Sequence, residues 1–210
     1  MPTATTSSPH LRLTWSIERR VRDDGDAALR LAYEVEAREE LYLADRLWDD
    51  DPVEYRVPDP HGVYRFVRDG SLRLVFAPPP APPNIQLLKY YEPFYSRVRA
   101  GETRRCAVEV GAPVDEYSAL ARDVGAPSVL EEVSRVYLVM GYRLRATLDA
   151  DPVPPINETA EGTGYIVHDP SFVISSLDAE PIAVRRRTGY VARFPLPGEP
   201  GPPPYVPPSR

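Results

Sequence analysis

The chain holds one cysteine, Cys106, so no disulfide can close within it and a small disulfide-stapled scaffold is excluded. Its three histidines, His10, His61 and His168, stand too far apart for a metal-ligand motif. No stretch approaches the ~20 consecutive apolar residues that a membrane helix needs. The opening MPTATTSSPHLRLTW lacks the charged start and apolar core of a secretory leader, so a cytoplasmic location is expected. Lysine is nearly missing, since all but Lys89 of the 25 basic residues are arginine. With 26 prolines and abundant alanine and valine, this usage points to the codon bias of a GC-rich bacterial genome. Positive charge is in deficit, the formal balance being −6, which speaks against nucleic acid or an anionic membrane as partner. Both demand a concentrated positive field. A nucleophile motif, a metal cluster and a phosphate loop are lacking too, so no cofactor is expected and no catalytic residue is assigned.

What is present is strict alternation. Leu11, Leu13, Trp15 and Ile17 interleave with Arg12, Thr14, Ser16 and Glu18. Farther on, Leu29, Leu31, Tyr33, Val35 and Ala37 interleave with Arg30, Ala32, Glu34, Glu36 and Arg38. Successive strand side chains point to opposite faces, so each segment reads as a strand with one dry and one wet face. The turn-forming Asp23, Asp24, Gly25 and Asp26 between them predict an antiparallel return. A second hairpin is predicted where residues 63–67 and 72–76 flank Asp69-Gly70, a dipeptide suited to the tight turn whose twist matches paired strands.

Residues 103–110 read as a further strand with Cys106, Val108 and Val110 on one face. That makes Cys106 a core residue, while the adjacent Arg104 and Arg105 are what a reactive thiol would need. Val114, Tyr117, Leu120, Ala121 and Val124 recur at helical spacing and predict one short helix over 113–124, stopped by Gly125. The next segment reads two ways. Ser128 and Glu131 have capping-box spacing, yet Val136, Leu138, Met140, Tyr142 and Leu144 alternate, and the β-branched and aromatic content favours strand from Val133 onward. Shorter strands are predicted at 165–167, 172–175, 182–184 and 190–194.

Proline sets the boundaries. Residues 1–10 read as a disordered lead and 195–210 as a proline-rich disordered tail, with APPPAPP at 77–83 an extended connector. A single domain is expected over 11–194, with 149–194 either completing the main sheets or forming a small appended one.

Few residues stand out as sites. The aromatic run with Tyr90, Tyr91, Phe94 and Tyr95 is either a contact surface, because tyrosine offers rigid area with a polar tip, or a plug between sheets. Arg185, Arg186 and Arg187 form a basic spot that would take an anion or an acidic partner, or would guard a sheet edge. The acidic stretch with Asp49, Asp50, Asp51, Glu54, Asp59 and His61 fits no cation-loop spacing and reads as a solvated turn, so no metal site is predicted. Neither His168 with Asp169 nor Glu131 with Glu132 reads as a catalytic pair, because sequence neighbours on a strand point apart. Residues 202–205, PPPY, match the pattern that aromatic-lined proline-binding domains read, within a tail where proline is common anyway.

Together the opening strands, the Asp69-Gly70 hairpin and the run RAGETRRCAVEV at 99–110 resemble an all-β, immunoglobulin-like antiparallel β-sandwich with one short helix and proline-rich connectors. The layout is similar to bacterial intracellular domains of the BsuPI proteinase-inhibitor kind and to other sandwich proteins of GC-rich bacteria. No inhibitory residue matches, so no functional position carries over. The resemblance implies a non-catalytic interaction module with a protein partner. The alternatives are an enzyme or small-ligand protein with a pocket between the sheets, and a structural homo-oligomer.

Overall fold

The computed structural model describes residues 1–45, 47–49, 57–58, 62–78, 95–118, 127–148, 157–159, 162–165, 170–189, 191 and 193–204. These residues form an all-β protein whose two main sheets face each other across one apolar core. The first sheet contains β1 (Thr3–Ser7), β2 (Leu11–Val21), β3 (Ala27–Ala37) and the later strand Thr103–Gly111, in the order β1, β2, β3, Thr103–Gly111. The alternation of β2 and β3 is realised in register. Leu13 lies opposite Val35, Trp15 opposite Tyr33 and Ile17 opposite Leu31, all buried. Gly25 at the connecting turn has φ +90°, a conformation glycine adopts without a steric penalty.

The chain then crosses to the second sheet through β4 (Leu41–Ala44), followed by the two-residue ribbon β5 (Trp48–Asp49) and β6 (Val57–Pro58). The hairpin of β7 (Tyr64–Arg68) and β8 (Ser71–Phe76) turns at Asp69 and Gly70, whose φ values of 50° and 69° are those of the tight turn expected there. β9 (Tyr95–Val98) pairs with β4, and β10 is Thr103–Gly111 of the first sheet. The remaining elements are β11 (Val114–Asp115), β12 (Ser128–Leu144), the 3-10 turn Arg145–Thr147, the ribbon β13 (Asn157–Thr159) with β14 (Gly162–Gly164), and β15 (Ser171–Arg187).

β12 and β15, 17 residues each, pair antiparallel along nearly their whole lengths and form the spine of the second sheet. On its other side β12 takes β8, in parallel, from Arg135 to Met140, then β4 from Tyr142 to Leu144. Past β7, Arg65 and Tyr117 exchange both backbone hydrogen bonds at 2.9 and 2.8 Å, while β11 pairs in parallel with β15. The sheet therefore curls until its ends meet through residues 114–117.

Four features depart from the sequence expectations. The predicted disordered lead contains β1, which pairs with β2 over Thr3 to Ser7, because its β-branched Thr3, Thr5 and Thr6 suit a half-exposed edge strand. The helix expected over 113–124 is replaced by β11 and the Tyr117 bridge within its described part, and residues 119–124 lie outside the described residues. Ser128 and Glu131 lie in a strand rather than capping a helix, and the separate strands at 172–175 and 182–184 belong to one strand, β15. Finally, the described part of the expected disordered tail, residues 195–204, continues a segment packed on the outer face of the second sheet.

That packing explains why β7 and β8 are buried on both faces. Val191, Phe194 and Leu196 cover Tyr64, Phe66, Val75, Val139 and Ile174. Burying one such side chain contributes about 1.5–3 kcal/mol, against about 1–2 kcal/mol lost per ordered backbone residue. Pro195 and Pro197 reduce that cost by restricting the unfolded chain, and two ion pairs fix where the segment sits. The fully buried Glu116 carboxylate accepts from Arg193 Nε at 2.7 Å and Nη2 at 2.8 Å, and from the backbone N–H groups of Val67 and Arg187, each at 2.9 Å. Conversely the buried Arg73 donates to both oxygens of Glu199, at 2.6 and 2.7 Å, and to the Phe194 carbonyl at 2.6 Å.

The hydrogen bonds from Arg73 hold the Glu199 carboxyl below the usual glutamate range. The unfolded chain then takes up the proton first, so the stabilisation is complete above the ordinary carboxylate value of about 4.3 and is lost as pH falls through the folded value. Urea midpoints of wild type and Glu199→Gln are expected to differ most near neutral pH and to converge as the solution is acidified. A gap independent of pH would contradict this assignment.

Candidate functional site

The spine of β12 and β15 is interrupted once. Val133 faces Ile182 and Arg135 faces Asp178, so Ala179, Glu180 and Pro181 together oppose Ser134. Proline has no N–H for a ladder bond, and Pro181 falls where pairing has lapsed. The Pro181 carbonyl accepts a bond from Arg19 Nη2 of β2, which pins the bulge to the first sheet.

A cleft of about 560 Å³ opens between the sheets at this point, with Ile17, Leu29, Ala179 and Ile182 on its walls and Glu18, Asp178 and Glu180 among its polar residues. A hollow of about 330 Å³ shares Arg19, Leu29 and Ile182 with it and extends to Arg20 and Glu132. Glu18 is paired with Arg20 at 2.8 Å and Asp178 with Arg135 at 3.0 Å. The latter bond lowers the Asp178 carboxyl and raises the Arg135 guanidinium.

Beyond the bulge, residues 128–133 of β12 run on with β15 as their one strand partner among the described residues, because β8 begins to pair only at Arg135. This stretch presents the exposed Val129 and Leu130, 45 % and 63 % accessible. Leu130 lies opposite Arg185 and Val129 opposite Arg186.

The arginine triplet flanks this edge without forming one basic surface, since successive strand residues point to opposite faces. Arg185 reaches Asp115 at 3.5 Å. Arg186 Nε, on the other face, donates to Glu131 at 2.5 Å, and Arg187 Nε donates to the Glu116 backbone carbonyl at 3.1 Å. Of the aromatic run, Tyr90, Tyr91 and Phe94 lie outside the described residues. Tyr95 is buried in β9, exchanging backbone hydrogen bonds of 3.0 Å with Tyr165. Asp50, Asp51, Glu54, Asp59, His61, His168, Asp169 and Tyr205 also lie outside the described residues.

A polar centre that the sequence reading missed lies near the junction of β4, β9 and β10. The buried Asp45 carboxylate accepts from Ser96 Oγ at 2.8 Å and from Arg104 Nε at 2.7 Å, while the Tyr33 hydroxyl donates to the Asp45 backbone carbonyl. Burial, then the Asp45 charge and the neighbouring Cys106, push the Tyr33 hydroxyl well above the usual tyrosine value. Tyr33 stays protonated as a donor, and Cys106, half-buried opposite it, packs against the core. Arg104 is thus committed to Asp45 and stitches the first sheet to the second. Spacing gave no signal for it, because Asp45, Ser96 and Arg104 are brought together only by the crossing between sheets.

Comparison with protein-family models, with curated proteins and with solved structures gives no match. Function is therefore read from geometry. Asp45→Ala, which strands the part-buried Arg104 and removes the acceptor of Ser96, is expected to destabilise the chain by about 3 kcal/mol, measurable by urea unfolding. A loss below about 0.5 kcal/mol, the range of ordinary surface changes, would deny the centre a structural role.

Proposed function

We propose that this chain is a binding module that engages a protein partner through the open edge of β12. One observation carries the reading: residues 128–133 extend beyond the end of β8 with an unpaired strand edge among the described residues, and with Val129 and Leu130 exposed beside it. An extended segment of a partner laid along this edge would gain main-chain hydrogen bonds, while side-chain contacts would supply specificity. Leu130 and its cross-strand neighbour Arg185 share a face, so they offer one apolar and one cationic contact to such a segment. The immunoglobulin-like layout belongs to the same proposal. It is supported by two facing sheets and the β2–β3 hairpin, and the parallel pairs β8–β12 and β11–β15 are the features it must accommodate.

The test is partner recovery from the native host with wild type, Leu130→Arg and the control Val21→Arg, whose site is exposed at the end of β2. Both substitutions should leave stability within about 0.5 kcal/mol. Leu130→Arg is expected to weaken the partner at least about tenfold and Val21→Arg to leave it unchanged. A partner retained equally by Leu130→Arg would overturn the proposal. Should sedimentation show a dimer that Leu130→Arg alone dissociates, the partner is a second copy of the chain.

A further inference from the structure

We infer that the outer face of the first sheet holds a binding site for a small carboxylic acid with a flat apolar body. The site lies on the other sheet from the β12 edge and is independent of it. In register, Thr3 of β1, Ser16 of β2, Ala32 of β3 and Ala107 of β10 stand side by side across all four strands. At a strand spacing of about 4.8 Å this row is roughly 14 Å long. Its side chains are small, while the rows beside it carry Arg30 on one side and Thr14, Glu34 and Arg105 on the other, so the face is hollowed into a trough of about 490 Å³.

Two polar groups point to the ligand. Ser16 lines the trough and is 7 % exposed, yet its hydroxyl has no hydrogen-bond partner among the described residues. A hydroxyl withdrawn from water without a partner gains when an acceptor is placed beside it. Arg30, half-buried in the same trough, also makes no hydrogen bond or ion pair among the described residues. It is the diagonal cross-strand neighbour of Ser16, a separation that a long side chain bridges, so both can reach one bound group. The guanidinium fork matches the two oxygens of a carboxylate, and the Ser16 hydroxyl can donate to one of them. The methyl groups of Ala32 and Ala107 leave a floor on which a ring can lie. The neighbouring charges leave Arg30 available. Glu34 is held by Arg105 at 2.6 Å, and the ammonium of Met1, exposed at the rim, has the same sign as Arg30. Across the strands Arg30 is flanked by Glu18, which pairs with Arg20 at 2.8 Å, and by Glu109, which is exposed and forms no ion pair among the described residues. Glu109 therefore weakens the site without occupying its guanidinium.

The experiment titrates the full chain with three probes of one shape, naphthalene-2-carboxylate, naphthalene-2-carboxamide and 2-naphthylmethylammonium, and follows the methyl resonances of Ala32 and Ala107. The carboxylate is expected to shift both methyls saturably and to bind about fivefold tighter than the neutral amide. The ammonium probe should bind weakest. Arg30→Gln should erase the preference for the acid over the amide while the amide still binds, which separates Arg30 from the ammonium of Met1. Ser16→Ala removes a hydroxyl that bonds nothing in the free protein, so it should leave the urea midpoint unchanged and weaken the carboxylate alone. Glu109→Gln should tighten the carboxylate. Equal binding of acid and amide by the wild type, or an acid preference that survives Arg30→Gln, would overturn the carboxylate assignment. Absence of methyl shifts with all three probes would overturn the site itself.

Discussion

Nearly everything depends on one backbone ladder, that between β12 and β15. Two antiparallel strands of 17 residues are long for a sheet of this size, and a long regular pair would twist away from the sheet facing it. The bulge at Ala179, Glu180 and Pro181 divides the ladder into two parts. One part, Arg135 to Tyr142, is flanked on both sides and carries the core residues Val136, Leu138 and Met140. The other, Ser128 to Val133, runs past the end of β8 and has no strand on that edge among the described residues. The cleft lies at the interruption of the β15 ladder, whereas the edge of β12 is left by β8, which begins to pair only at Arg135.

The second constraint is that this sheet is apolar on both faces. The inner face packs against Leu11, Leu13, Trp15 and their neighbours, and on the outer face Tyr64, Phe66, Val75 and Val139 cluster with Leu47 and Tyr117 and with Val191, Phe194 and Leu196 of the C-terminal segment. A proline-rich stretch cannot supply a full ladder, so it is attached by side chains. Glu116 and Arg73, both buried, each satisfy a charge of opposite sign on that segment, and the order of Arg193 and Glu199 along the chain fixes its direction. Arg68 adds a contact at 3.2 Å to the Pro200 carbonyl.

The sequence made the strands legible wherever one face was dry and the other wet. β2 and β3 follow from alternation, and the hairpin of β7 and β8, buried on both faces, from the turn chemistry of Asp69-Gly70, because those signals are local. What was illegible is non-local. Val114 and Tyr117 have helical spacing, yet they are drawn into bridges with β15 and β7 by partners distant in sequence. Residues 171–187 read as fragments because Pro181 and the charged Asp178 and Glu180 break the pattern, although they lie in a bulge within one strand. The proline-rich segment looked free because nothing local marks Arg193 and Glu199 as partners of Glu116 and Arg73. Of the candidate site, Arg185 to Arg187 were visible as charge, but their division between two faces and the exposed Val129 and Leu130 beside them emerge only from the register.

The most direct test of the division of the ladder is residue-resolved amide hydrogen exchange along β12 in the isolated protein. Amides from 135 to 142 are expected to exchange slowly throughout, since strands flank them on both sides. From 129 to 133, slow amides bonded to β15 should alternate with fast amides facing the open edge. Uniform slow exchange from 129 to 142 would contradict an open edge and, with it, the binding role assigned to that edge.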